Sequence, residues 1–99
     1  MILEVVVLNI IDGQAPSFEK AFVVAEKIIA SADGYIAHEL QKCIDVENRY
    51  ILLVKWQTIE HHMDGFRNSS KYQEWKALLH HFYSSFPTAE HYKNILKCT

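Results

Sequence analysis

The side chains best equipped for chemistry gather in one stretch: His62, Phe66, Arg67, Tyr72 and Trp75. His62 and Phe66 are four positions apart, so on a helix they share one face. The imidazole is a base or hydrogen-bond anchor with a pKa near neutrality, and the phenyl ring beside it is a surface on which an aromatic ligand can stack. Arg67 could neutralise an anionic ligand, Tyr72 brings a hydroxyl that needs a partner when buried, and Trp75 adds an aromatic wall. Two further polar groups fall on apolar strand faces: Asn9 beside Val7 and Ile11, and His38 with the parity of Ile36 and Leu40. A polar side chain in such a place either holds a structural hydrogen bond or marks a pocket wall.

Six histidines, with the pairs His61-His62 and His80-His81 close to Glu60 and Asp64, invite a metal-site reading. Neighbours on a helix diverge by about 100°, so neither pair can chelate as an i, i+4 pair does. Cys43 and Cys98 lie far apart and lack the paired spacing of a zinc site, and no Gly-rich phosphate-binding loop is present. No metal and no cofactor is expected.

Those side chains must be held by a small framework. Ninety-nine residues, 49% hydrophobic and 22% charged with three Gly and two Pro, predict a single domain over 1–99. Met1 to Ile11 is apolar on both faces, interrupted only by Glu4 and Asn9, which predicts a strand buried on both sides. Pro16 suits a helix's first turn, and Phe18, Ala21, Phe22, Ala25, Ile28, Ile29 and Ala32 then recur at helical spacing until Asp33-Gly34. Tyr35 to Ile44 and Tyr50 to Gln57 alternate as strands around a polar turn at Asp45 to Arg49, giving a hairpin.

Thr58 caps a second helical region in two pieces that break at Asn68-Ser69-Ser70. Ser70 with Gln73 forms a capping box for the second piece, whose stripe runs Tyr72, Trp75, Leu78, Leu79, Phe82 and Phe86 until Pro87. Thr88 to Cys98 gives a last, more polar edge strand, where His91 takes a plain edge-strand position. The order βαββαβ predicts an α+β, ferredoxin-like arrangement with an antiparallel sheet and both helical regions on one face.

The other face is then uncovered and apolar, and a second copy of the chain is its simplest cover, which predicts a homodimer. Ten basic against twelve acidic residues give a formal charge of -2, with no basic stripe, so no nucleic-acid partner is expected. The apolar first run is too short to span a bilayer and lacks a signal peptide's basic flank, so no membrane association and a cytoplasmic location are expected, with both thiols reduced.

The order βαββαβ at this length, Trp56 closing the third strand, the run Gly65-Phe66-Arg67-Asn68-Ser69-Ser70-Lys71-Tyr72 and Phe86-Pro87 together resemble the antibiotic biosynthesis monooxygenase (ABM) superfamily. The resemblance implies a dimeric α+β barrel with a pocket between the sheet and the second helical region. It also implies oxygenation of a small aromatic, phenolic or quinol-like compound without metal or flavin. The aromatic-polyketide monooxygenases of the family line this pocket with an Asn, a Trp and a Tyr. Laid without gaps from Trp56, these positions fall at His62, Phe66 and Tyr72, so the Tyr is kept while Asn becomes His and Trp becomes Phe. Taken with the residues singled out above, His62 and Tyr72 are the catalytic candidates, and Asn9, His38, Phe66, Trp75 and Arg67 the substrate-binding ones. In the heme-degrading branch the iron-binding His falls at Lys76, which disfavours that activity, although His80 or His81 lies one turn on. The alternative from another class is a non-catalytic dimer that holds a small molecule in the same pocket.

Overall fold

Four strands and two α-helices follow one another as β1 (Ile2–Asn9), α1 (Ala15–Ala30), β2 (Tyr35–Lys42), β3 (Arg49–Trp56), α2 (Ser70–Leu79) and β4 (Ala89–Tyr92) in the computed structural model, which describes residues 1–98. The sheet order is β2-β3-β1-β4 and every neighbouring pair is antiparallel. This is the ferredoxin-like βαββαβ fold, in which each helical connection crosses over one intervening strand. Among the described residues no helix is long and apolar enough to cross a membrane.

Strand periodicity decides which side chains meet the helices. Val6, Leu8 and Ile10 of the first strand region and Tyr50, Leu52, Val54 and Trp56 of β3 are buried together with Phe18, Phe22, Ala25 and Ile29 of α1 and Trp75 and Leu79 of α2. Full burial of each large apolar side chain stabilises the fold by roughly 1.5–3 kcal/mol. The opposite parity carries Leu3, Val5, Val7, Ile51 and Leu53, and Val7 is 44% exposed. The apolar second face expected from the sequence is therefore present and uncovered by any helix of this chain.

Gly34 links α1 to β2 with φ +78°, a left-handed conformation that L side chains rarely adopt. A Cβ there would also lie 2.2 Å from the His61 ring, so the tight passage into β2 requires glycine on two counts.

The second helical region departs from its expected form in three ways. Its first piece, His61–Phe66, is a π-helix. The cap of α2 is Ser69, not Ser70: Ser69 has an extended backbone and its Oγ accepts from the Tyr72 N–H, whereas Ser70 is already helical. The α-helix stops at Leu79, followed by a 3₁₀ turn at His80–Phe82, because Tyr83 turns extended to bridge Ile10 at the end of β1. Phe86 thus leaves the helical stripe and is 80% exposed. The last strand is also shorter than expected: its pairing with β1 ends at Tyr92 opposite Leu3, and β1 has almost no residues left to continue it.

Candidate active site

A cavity of about 50 Å³ lies between the sheet and the second helical region. Glu4, Val6 and Leu8 of β1 and Leu52 of β3 form its sheet side. His62, Phe66, Arg67, Tyr72, Trp75, His80 and Tyr83 face them, and Phe86 and Pro87 stand at the exposed end. A void of this size holds one or two waters, against the several hundred Å³ of an open ligand pocket.

The π-helix decides which polar groups converge. The Arg67 N–H donates to the His62 carbonyl at 3.0 Å, an i to i+5 bond whose wider winding turns these two residues toward the same side. An α-helix, turning about 100° per residue, would set them about 140° apart and carry the guanidinium away from the imidazole. With the wider winding, His62, Phe66 and Arg67 all line the cavity.

The polar centre of the site is a buried carboxyl and a buried imidazole. Glu4 is 6% exposed and His62 3%. Trp56 Nε1 donates to Glu4 Oε1 at 2.9 Å, while Glu4 Oε2 lies 3.4 Å from His62 Nε2. The other nitrogen of His62, Nδ1, is 2.7 Å from Nε2 of His91. The indole of Trp56 stacks on the His62 ring, with centroids 5.3 Å apart and planes 23° from parallel. Phe66 packs at 5.6–6.1 Å from the rings of Trp56, Tyr72 and Trp75, so the aromatic wall is continuous.

Burial controls protonation here. It pushes the Glu4 carboxyl above its ordinary pKa, against the opposing pull of the Trp56 hydrogen bond and the Arg67 charge. Burial also drives the His62 imidazole down to about 4, helped by His91 and by Arg67. His62 is therefore neutral at pH 7; burial, with Lys76 and Arg67, lowers His80, and burial with Arg67 lowers His91. Tyr83 is held protonated by burial, with Tyr72 and Glu4 adding to the effect.

Of the residues singled out in the sequence, His62, Tyr72, Phe66, Trp75 and Arg67 meet in the cavity, while Asn9 and His38 lie away from it. Asn9 falls on the open face, where its Oδ1 accepts from Arg49 Nε at 3.0 Å. His38 is on the helix-covered face but at the far edge of the sheet, its nitrogens engaged by the Tyr35 hydroxyl and by Glu26. Glu4 and Tyr83 are not among the sequence candidates, and His80 and His91, weighed there in other roles, also belong to the site or its partners. Glu4 carried a usable signal, a carboxylate with the parity of Val6 and Leu8 inside an apolar strand. His91 lies on the edge strand as expected, and the β1–β4 register sets it directly opposite Glu4. Among the described residues no group of three or more His, Cys, Asp or Glu side chains is arranged to hold a metal ion.

Residues 1–78 match the antibiotic biosynthesis monooxygenase family, and the chain belongs to that family. YczJ, an uncharacterized protein of Bacillus subtilis strain 168, is 50% identical over 95 residues, covering 96% of this chain and 100% of YczJ. A Bordetella bronchiseptica protein bearing the same family name superimposes with a TM-score of 0.92 at 29% identity, over 96% of this chain and 97% of that one. SnoaB, a cofactor-independent oxygenase from Streptomyces nogalater, shares the fold with a TM-score of 0.75 at 18% identity, over 99% of this chain and 94% of SnoaB.

Proposed function

We propose that this protein is a cofactor-independent monooxygenase that oxidises a small aromatic, phenolic or quinol-like compound, and that it works as a homodimer. The observation that carries the reading is the buried Glu4–His62 pair on the wall of an otherwise aromatic cavity. A phenol or quinol that has lost a proton is electron-rich enough to pass an electron to dioxygen without a metal or flavin. Recombination then leaves one oxygen atom on the substrate, and the second departs as water with two hydrogens taken from the substrate. Such chemistry asks the protein for a proton acceptor, a stabilised anion and exclusion of water.

The residues divide these tasks. Glu4, coupled to His62, takes the proton. The Arg67 guanidinium stabilises the resulting anion, and the Tyr72 hydroxyl orients it. Phe66 and Trp75 form the aromatic wall against which the ring packs. Because the cavity is small, a ligand enters by displacing Phe86 and Pro87, which belong to no helix or strand. The homodimer is supported by the apolar open face of the sheet, beside which Ile95 and Leu96 also stand exposed.

Oxygen consumption measured against a panel of phenols and quinols tests the reading. We expect uptake with at least one of them, lost in His62→Ala. Saturable binding without uptake on any compound would overturn the oxygenase and leave a non-catalytic small-molecule-binding dimer.

A further inference from the structure

The partners of Glu4 line up rather than converge. Trp56 holds Glu4 Oε1, which turns Oε2 toward His62 Nε2 at 3.4 Å, and His62 Nδ1 meets His91 Nε2 at 2.7 Å. Glu4 lines the cavity, His62 is buried, and His91 is half-buried on the edge strand, outside the cavity lining. The three side chains therefore run from the cavity to the surface. We propose that Glu4, His62 and His91 form the route by which the active-site proton reaches solvent, with His91 as its outlet.

The inference rests on the oxygenase reading for its purpose but on geometry for its path. With Glu4 protonated and His62 carrying its hydrogen on Nδ1, the carboxyl O–H passes its proton to His62 Nε2. His62 Nδ1–H passes its own to His91 Nε2, and His91 Nδ1–H passes one to water. Three bonds to hydrogen break and three form, neither ring keeps a charge, and Glu4 is left as the carboxylate. The rings end in their opposite tautomers, in which His62 donates to the ionised Glu4. The 3.4 Å link is the longer one, and contacts of this kind commonly tighten when the reacting proton is in place.

No other group around Glu4 serves as well. Arg67 acts on it from the C-terminal cap of the π-helix but remains charged and cannot pass a proton on. Tyr83, beyond the 3₁₀ turn, is held firmly as the neutral phenol. His80 and Tyr72 belong to the same cavity and have no hydrogen bond to Glu4. The low pKa of His62 suits a relay, which must release each proton it receives, and is wrong for a reservoir. His91 shares the helix-covered face with Glu4, opposite the face on which the second copy is proposed to dock, so dimerisation leaves the outlet open.

The test needs no substrate in its first arm. In protein labelled with 15N-histidine, exchange of the His62 ring proton with water is followed near neutral pH. We expect His91→Phe, which fills similar space without a nitrogen, to slow that exchange by about tenfold or more, and added imidazole to restore it in His91→Ala. Exchange that is unchanged in His91→Phe, or indifferent to imidazole in His91→Ala, overturns the route. Unaltered melting and elution of both variants verify that the edge strand is intact.

The second arm uses whichever phenol or quinol supports oxygen uptake. In weak buffer His91→Phe should lower kcat by about tenfold with KM unchanged, while imidazole restores turnover in His91→Ala. A protein that shows the exchange effect but no oxygen uptake keeps the route and loses the oxygenase. One that turns over at full kcat as His91→Phe keeps the oxygenase and loses the route.

Discussion

The indole of Trp56, the last residue of β3, donates to the carboxyl of Glu4 inside β1 at 2.9 Å. The two are diagonal neighbours on the helix-covered face, since Trp56 pairs with Ile2 and Glu4 with Val54. One hydrogen bond thus satisfies both a buried indole and half of a buried carboxyl. Trp56→Phe should cost about 2–4 kcal/mol, from the smaller ring and the orphaned oxygen, in urea unfolding. A loss below about 1 kcal/mol would mean that Glu4 finds another donor.

The two buried titratable groups give stability opposite dependences on pH. His62 has its pKa lowered from 6.5 to about 4, so between these values the unfolded chain binds a proton that the native state does not. Stability therefore falls as pH drops through that window, by at most about 3 kcal/mol from this group. His62→Asn should flatten the slope. Glu4, with its pKa raised, keeps a proton that the unfolded chain has released, so its contribution falls as pH rises above 4.5. Glu4→Gln should remove that opposing trend, which unfolding curves taken at intervals from neutrality to about pH 4 will resolve.

His62 and Phe66 share the cavity but should leave different kinetic marks. His62→Ala is expected to lower kcat by about 10² or more on the substrate found by oxygen uptake, the scale of a lost proton-transfer partner. Phe66→Ala should mainly raise KM by removing a stacking wall. Because Phe66 is buried against three other rings, it should also lose about 3–5 kcal/mol of stability. Equal effects of both variants on kcat would remove the distinction between proton-transfer partner and wall.

Light scattering should return twice the 11.5 kDa chain mass. Val7→Lys places a charge on the open sheet face without touching the buried core, and should shift the population to monomer with the fold intact. A wild-type mass of one chain would mean that the open face meets water or a different partner.

Ser69→Ala should cost about 1 kcal/mol, the usual worth of a helix N-cap, while Ser70→Ala should be nearly silent. The reverse ranking in thermal melts would move the start of α2 to the position expected from the Ser70-Gln73 spacing.

Much of the framework is legible in the sequence because it rests on periodicity. The stripe Phe18, Phe22, Ala25, Ile29 is buried as its spacing requires, and β1 is apolar on both faces as its composition requires. The end of the second helical region was less legible. Its apolar stripe continues to Phe86 in sequence, yet pairing of Tyr83 with Ile10 competes with helix continuation and wins. Local spacing cannot report a competitor that lies more than seventy residues away.

Residue types and their spacing are enough for the βαββαβ order, the family, and the gathering of His62, Phe66, Arg67, Tyr72 and Trp75 along one helical region. Which face of β1 the helices cover is settled by folding alone, because a strand apolar on both sides gives no preference. That choice sent Asn9 to the open face and Glu4 inward. It also decided the partners of His62: Glu4 and His91 stand opposite each other only through the β1–β4 register, and the π-helix lowers His62 onto the pair. A buried proton-transfer group is defined by what it touches, and those contacts join residues from the two ends of the chain, which only folding brings together.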